Sequence, residues 1–370
     1  METLAALAGI ALISAVLWDA FETILLPRHT PVRWRISRLS MRSLWRVWSA
    51  LGGRIGRRNR REDFLGLYAL LGLIGLLVVW ASGLIVGFAF LFRACGPSLV
   101  TAGGPVGFWT DLYLSGTTFF TLGLGDVAPS SPIARFITVI EAGNGLGFFA
   151  MVISYLPVLY QSFSRRETRI TMLDEWAGSP PTAAVLLRRC FEARDPDAAL
   201  RGLLKDWEIA ASEMLESHLS YPMLAFFRSQ HDNQSWVAAL TAVLDTCALT
   251  IVGVEGIDRF QPRLTFAIGR HTLVDVSQVL QLRPRAADRA PAWNETVTQL
   301  REWLARSGVK LAGGPEADRQ LVELRALYEP YVEELSRQLA MPTPPWLPPE
   351  RARYNWETTA WARTGRMDAH

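Results

Sequence analysis

Three stretches of the chain hold enough consecutive apolar residues to cross a bilayer, whose core needs roughly 20 in a helix. The first runs from Leu4 to about Leu26, the second from Phe64 to Phe92 with no charge in it, and the third from Pro132 to Tyr160 with only Arg135 and Glu141. Between the second and third lies Trp109 to Phe120, helix-competent but too short to span, followed by Thr121-Leu122-Gly123-Leu124-Gly125-Asp126. From residue 170 the pattern changes to one helical segment after another. Helices are expected at 183–194, 198–219, 234–253, 264–282, 292–306 and 316–340. Breaks are expected at Ser179-Pro180-Pro181, Asp195-Pro196, Gln261-Pro262, Arg283-Pro284 and Gly313-Gly314-Pro315. Strand patterns are scarce, so the whole reads as all-α.

Composition supports a mixture of membrane and water-soluble parts. Of 370 residues, 50% are apolar and 20% charged. That is too apolar for a disordered or nucleic-acid-binding tail and too charged to lie wholly in lipid. Cys95, Cys190 and Cys247 are far apart in the sequence and form no CxxC pair, which excludes a disulfide scaffold and a zinc ribbon. Residues 1–10 contain no Lys or Arg, so the first stretch reads as a retained helix rather than a signal peptide.

Charge sets the expected orientation. Eleven arginines fall between Arg28 and Arg61 with no acid among them, and Arg165, Arg166 and Arg169 follow the third stretch. Both clusters belong on the cytoplasmic side. The N-terminus is then outside, and residues 28–63 and 164–370 are cytoplasmic. Within the linker, Arg35, Arg38, Arg42 and Arg46 recur on one helical face, with Met41, Leu44, Trp45, Trp48, Leu51 and Ile55 on another. Such a helix can lie among anionic headgroups or pack on the protein, and both readings stay open. The arginines are too dense and too close to polar residues for a voltage sensor.

The segment 109–129 has the chemistry of a re-entrant loop. Irregular backbone at membrane depth is tolerated only where it is buried in protein or lines a wet path. Glycine at every second position lets successive carbonyls point the same way. Four such strands around an axis make rings of oxygens that replace an ion's hydration shell. The preceding short helix aims its partly negative C-terminal end at the pore centre. The Thr121 hydroxyl can add an inner ring, and Asp126 can concentrate cations at the mouth or brace the loop.

Thr118 to Asp126 resembles the T-x-T-T-V-G-Y-G-D signature of the potassium channel pore family. Pro129 and the Ala134-Arg135-Phe136-Ile137-Thr138-Val139 start of the third stretch are also similar to that family. The resemblance covers about residues 64–163. It implies a re-entrant pore-loop channel module, which together with the helical pattern after residue 170 gives an all-α membrane protein with an all-helical cytoplasmic domain. It further implies carbonyl sites at Thr121, Leu122, Gly123 and Leu124, with Gly125 completing the strand and Asp126 at its outer end. Thr117, Thr118, Phe119 and Phe120 end the pore helix. One filter per chain implies a homotetramer, with potassium as the permeant species and no cofactor or other metal.

Departures bear on selectivity. Leu122 stands for the usual Val, Leu124 for Tyr, and Phe120 for the second Thr. Tyr113 and Leu114 stand where bracing tryptophans are common. A Gly-Leu-Gly filter is similar to one of the two in some two-pore-domain potassium channels, so potassium selectivity is not excluded. The wall behind the filter is nonetheless more apolar, and selectivity held by packing is expected to be looser.

Glycines at 143, 145 and 147 fall in the middle of the last helix. The family's inner helices often hinge there, which favours Gly143 or Gly145, although small residues also permit close packing. Asn144 is placed to face the cavity. Pro157 is expected to kink the helix near a gate at Ile153–Tyr160. Glu141 needs a partner and is expected behind the filter. Asp19 and Glu22 share a face near the inner end of the first helix, where a paired structural site and a proton sensor are the two readings.

The expected segments are therefore an N-terminal membrane helix (1–27), a basic amphipathic linker (28–63), a pore module (64–163), a helical cytoplasmic domain (164–340) and a Pro/Trp-rich tail (341–370). No GxGxxG follows a strand and no GxxxxGK[ST] occurs, so a nucleotide-binding regulatory domain is not expected. Arg283-Pro284-Arg285-Ala286-Ala287 faintly resembles a cyclic-nucleotide phosphate cassette but lacks a surrounding β-roll. Ser235–Val254 is apolar enough for a fourth crossing, though a core helix fits the charge pattern better. Polar residues cluster around it (His231, Asp232, Asn233, Gln234, Asp245, Glu255). His271 and Asp275 share a helix face that suits either a metal or satisfied polar contacts. Trp346, Trp356 or Trp361 is expected to dock the tail on the bundle. The leading function is a potassium channel gated at the inner helix, with the cytoplasmic domain and an unknown ligand as possible controls. Weakly selective cation conduction and a membrane-anchored scaffold with a pore-like relic are the alternatives. Neither an enzyme nor a nucleic-acid partner is expected.

Overall fold

A computed structural model describes residues 2–24, 36–96, 98–101, 106–229, 234–284 and 293–349. It is an all-α structure that divides into two compact units. One comprises Met1–Gly56 with Asp63–Gln161, the other Arg57–Glu62 with Ser162–His370.

In the first unit, α1 (Glu2–Ile24) packs on α3 (Arg58–Ala94) where neither helix has room for a side chain. A Cβ on Gly87 would meet Ile13 Cγ1 at 2.6 Å, one on Gly83 would meet Val16 Cγ2 at 2.8 Å, and one on Gly9 would meet the Gly87 carbonyl at 2.7 Å. Glycines four apart on one helix form a smooth stripe that lets two apolar helices approach closely. At the other end of α1, the buried Asp19 carboxylate accepts from the Ser37 amide (2.9 Å), the Ser37 hydroxyl (3.0 Å) and Trp80 Nε1 (2.8 Å). Ser37 and Trp80 are thus the partners of Asp19. Arg28 lies outside the described residues.

The linker helix α2 (Ile36–Gly52) packs on α3 through its aromatic residues. Trp48 stacks on Phe64 at 4.4 Å and donates to its carbonyl at 2.9 Å. Trp45 meets Tyr68 edge-on at 4.6 Å, and the Tyr68 hydroxyl donates to the Met41 carbonyl at 2.7 Å. Leu39, Val47 and Leu51 remain exposed on the same helix. Beyond α3, β1 (Leu99–Thr101) pairs antiparallel with β2 (Val127–Pro129), Val100 opposite Ala128. Between them lies α4 (Phe108–Phe119), and α5 (Pro132–Ala177) follows. Val16, Trp80, Leu84, Phe119 and Phe148 form one core joining α1, α3, α4 and α5.

The second unit begins along α5 at Ser162. Its further helices are α6 (Ala183–Glu192), α7 (Pro196–Ser220), α8 (Trp236–Gly253), α9 (Phe260–Val279), α10 (Trp293–Arg306), α11 (Pro315–Ala326) and α12 (Glu329–Leu339). Among the described residues four helices, α1, α3, α5 and α8, are long and apolar enough to cross a membrane. Every residue of α8 is buried inside this unit, however. A helix apolar all round suits a core as well as a bilayer, and composition alone cannot tell them apart. The buried hydroxyls of Thr241, Thr246 and Thr250 donate to carbonyls one turn back, so no polar group is stranded.

Two boundaries differ from expectation. The helix expected over 316–340 is two, interrupted at Leu327 and Tyr328, because Pro330 has no N–H for the Ala326 carbonyl and crowds it. The break expected at Pro262 falls inside the first turn of α9, where amides lack helical partners anyway. Asp245 of α8 accepts from the Tyr328 hydroxyl, with Arg325 at 3.9 Å. That guanidinium packs against the rings of both Trp293 (4.5 Å) and Trp346 (4.4 Å), which meet each other edge-on at 5.1 Å, and this aromatic–cation cluster docks the tail at Trp346. Trp356 and Trp361 lie outside the described residues, as do His231, Asp232, Asn233 and residues 285–287.

Arg166, buried in the second unit, donates to the carbonyls of Leu224 and Phe227 at 2.7 Å each. Its Nη1 also lies 3.3 Å from His218 Nε2. His218 Nδ1 bonds the Met214 carbonyl at 2.8 Å, so that nitrogen carries the proton and Nε2 accepts.

Two tests arise from this packing. Gly87→Leu overpacks the α1–α3 contact and should destabilise the detergent-solubilised protein by about 1–3 kcal/mol, read as a lowered melting temperature. Burial, aided by Arg166, drives the His218 pKa from 6.5 down to about 3. Below pH 6.5 the unfolded chain therefore takes up a proton that the fold refuses. Stability should fall as pH drops through that window by at most about 1.4 kcal/mol per unit. His218→Gln should remove this part of the slope in unfolding curves at pH 7.5, 6.5 and 5.5.

Candidate functional site

The 12-residue helix α4 starts after Gly107, whose amide donates to Thr110 Oγ1 at 3.3 Å. Asp111 in its first turn is buried, with Arg93 at 3.9 Å, and a carboxylate there suits the positive helix end. Thr117, Thr118 and Phe119 form the last turn and Phe120 caps it. The chain then leaves the helix through two bonds, Thr121 amide to Thr118 carbonyl (2.9 Å) and Leu122 amide to Thr117 carbonyl (2.7 Å).

Beyond the helix the backbone takes positive φ at alternate residues: Thr121 at 57°, Gly123 at 57° and Gly125 at 80°. At the two glycines this conformation meets no Cβ penalty. Thr121 is β-branched, and holding it left-handed costs about 1–3 kcal/mol, a strain typical of functional backbone. Thr121 through Asp126 are all exposed in the single chain, Leu122 at 60% and Leu124 at 64%.

Several groups hold this strand. The Tyr113 hydroxyl donates to Asp126 Oδ2 at 2.9 Å, tying the outer end of the strand back to α4. The β1–β2 pairing and the Ser130 amide bonded to the Ser98 carbonyl (2.7 Å) fix the segment 127–130. Ser115 in mid-α4 bonds both the Ile85 carbonyl of α3, at 2.7 Å, and the buried Glu141 carboxyl of α5. Glu141 is thus partnered by Ser115 of α4. Phe119 is fully buried, with Phe148 at 5.6 Å and Phe149 at 6.4 Å.

The glycines of α5 are not equivalent. A Cβ on Gly145 would lie 2.1 Å from the Phe119 carbonyl oxygen, whereas Gly143 and Gly147 have open space. Gly145 is therefore required by the close approach of the α4 end. Pro157 lies inside α5, which is assigned as one helix from Pro132 to Ala177. Asn144 is half-buried, its amide donating to the Ile140 carbonyl at 3.1 Å. Among the described residues, no group of three or more His, Cys, Asp or Glu is placed to hold a metal. His271 Nε2 and Asp275 Oδ2 lie 3.2 Å apart, each the other's polar partner.

Sequence reasoning named the strand, the helix before it and Glu141. It missed Ser115 and the brace from Tyr113, which it treated only as a missing tryptophan. Tyr113 and Asp126 are 13 residues apart, and only the return of the chain along α4 brings them together.

A short helix followed by a strand of alternating left-handed residues is set between two long apolar helices, an arrangement similar to the pore domain of two-membrane-helix channels. In agreement, residues 74–161 match a family model described as ion channel. The match runs from α3 through the strand to the last residue of the first unit. The chain is also similar to the uncharacterized membrane protein YdjJ of Bacillus subtilis (strain 168), 29% identical over 189 residues. That alignment covers 50% of this chain and 53% of the relative, so the chain spans about half the length of the curated relative it matches. No solved structure matches.

Gly145→Ala should push the end of α4 away from α5. We expect lost ion flux from reconstituted protein and a lowered melting temperature, whereas Gly147→Ala, with open space at its Cβ, should leave both near wild type.

Proposed function

We propose that four copies of this chain form a potassium channel, with Thr121, Leu122, Gly123 and Leu124 supplying rings of carbonyl oxygens and Gly125 completing the strand. The observation that carries this reading is the alternation of positive φ at Thr121, Gly123 and Gly125 directly after the C-terminal end of α4. Such a strand can turn successive carbonyls toward an axis, and the partly negative helix end favours a cation there. One chain supplies one strand, and its exposure leaves it free to face three others. The protein acts as a passive conduit rather than an enzyme. Its N-terminus lies outside, and residues 28–63 and 164–370 are cytoplasmic.

Selectivity rests on the Tyr113–Asp126 bond and on packing around Phe119. A weakly selective cation channel is the second reading, favoured by Leu122 and Leu124, which carry no hydroxyl to tether the strand. The gate lies around Pro157, at the inner end of the apolar stretch of α5, with Gly143, open on its face, as the hinge. α2 rests its exposed Leu39, Val47 and Leu51 among headgroups.

Control by the cytoplasmic domain has a physical basis in two arginines. Arg166 of α5 is tied to the Leu224 and Phe227 carbonyls. Arg228 pairs with Glu62 in the first turns of α3 and donates to the Leu339 and Ala340 carbonyls at 2.9 and 3.0 Å. The short segment 222–228 thereby holds a terminal portion of both helices that flank the filter. A shift of that segment would move the inner end of α5.

The test is flux from proteoliposomes under opposing potassium and sodium gradients. Potassium-driven flux that disappears in Gly123→Asp is expected. Equal potassium and sodium flux, also lost in the variant, would favour the weakly selective channel. Flux unchanged by the variant would sink the assignment of the strand.

A further inference from the structure

The second unit contains a cavity of about 460 Å³ between α5 and α7. On the α5 side are Arg165, Arg166 and Arg169, and on the α7 side Ser212, Glu213, Glu216 and Ser217. Their charges are not all available. Arg166 is buried and spent on the Leu224 and Phe227 carbonyls and on Glu167 (3.2 Å), so it contributes a fixed positive charge at the back. Arg169 faces Glu213 at 3.7 Å, a loose pair with both partners reaching solvent. Ser212 and Ser217 on the cavity wall donate to carbonyls of their own helix, the first at 2.9 Å and the second, whose oxygen also lies 3.3 Å from His218 Nδ1, at 3.1 Å, so their oxygens can serve as acceptors. Arg165 and Glu216 are exposed, and neither has a hydrogen bond or ion pair among the described residues. One unengaged cation and one unengaged anion thus line the same cavity from different helices.

This balance argues against a simple ion. A bare anion would sit beside two carboxylates, and a bare cation beside three guanidinium groups. A ligand carrying both charges meets both walls. On the cationic side, Arg165 and Arg169 are one helical turn apart and present planar forks of donors. These outnumber what the two oxygens of a carboxylate can use and suit the three oxygens of a phosphate ester. On the anionic side, Glu216 with the serine oxygens suits an ammonium.

We infer that this cavity binds a zwitterionic phosphate, a phosphate ester with an ammonium group a few bonds away. Free phosphoethanolamine and the headgroup of an ethanolamine phospholipid share that chemistry. Ser162, on the cavity wall, directly follows the matched channel domain, which keeps the lipid source in play. Binding itself does not depend on the channel assignment. Its consequence does: Arg166 borders the cavity and holds the segment 222–228, so an occupant would bear on the gate only if the pore reading stands.

The test therefore reads binding and not flux. The full chain in an uncharged maltoside detergent is melted with O-phosphoethanolamine and, separately, with glycerol phosphate, at equal ionic strength. O-phosphoethanolamine at ten times its dissociation constant should raise the melting temperature by about 3 °C, and glycerol phosphate by less. Arg165→Gln should abolish the response to both, and Glu216→Gln should erase the difference between them. Both positions are exposed, so the variants should fold. If the lipid is the source, the soluble probes give nothing, but discs of ethanolamine phospholipid stabilise the chain more than discs of phosphatidylglycerol, again through Arg165 and Glu216. Equal stability with every probe and both disc types, or shifts that survive Arg165→Gln, would overturn the inference.

Discussion

The contact on which the channel domain turns is the one between the Phe119 carbonyl and Gly145. A helix of only 12 residues cannot anchor itself at membrane depth, and its end must be held by neighbours. α5 holds it by offering a place with no side chain, so backbone meets backbone. Phe148 and Phe149 close around the Phe119 ring beside it. Because the next residues leave the helix in strained left-handed geometry, their position is only as definite as that anchor. Ser115 supplies a second hold in the middle of the helix, reaching the Ile85 carbonyl and the Glu141 carboxyl, and Tyr113 a third at the far end of the strand.

The same economy of small residues and shared polar groups recurs through the first unit. Lipid provides no hydrophobic drive between helices, so close packing and hydrogen bonds must do it. Gly83 and Gly87 let α1 lie on α3, and Asp19 gathers Ser37 and Trp80 at the far end. Among the buried carboxylates of this unit, Asp19, Asp111 and Glu141 each lie beside a polar partner from another element. A lone charge in hydrocarbon would be costly, and these partners answer that cost.

The second unit is a helical bundle with a fully buried, largely apolar helix at its centre, whose Thr241, Thr246, Thr250 and Asp245 are hydrogen-bonded. Asp245, Tyr328, Arg325 and the two tryptophans join α8, the α11–α12 corner, α10 and the tail in one cluster. Arg166 and Arg228 do the same around the segment 222–228. Long guanidinium side chains span such gaps because each can satisfy several carbonyls at once.

Much of this was legible in the chain. Apolar run lengths determined the three membrane-crossing candidates, proline and glycine punctuation placed most helix ends, and the alternating glycines after a short helix located the strand. These are local properties, set by bilayer thickness and backbone dihedrals. Contacts between distant residues were not legible. Nothing in the run 236–253 says that it is a core, since an apolar helix satisfies lipid and protein interior equally, and only burial on every side decided it. Gly143 and Gly145 look alike in sequence, yet only Gly145 meets another backbone. Tyr113 read as an absent tryptophan until the return of the chain set its hydroxyl against Asp126. The sequence by itself determined which segments are helical and apolar and where the strand lies. The tertiary structure alone decided which residues hold that strand, because those holds depend on the approach of elements far apart in the chain.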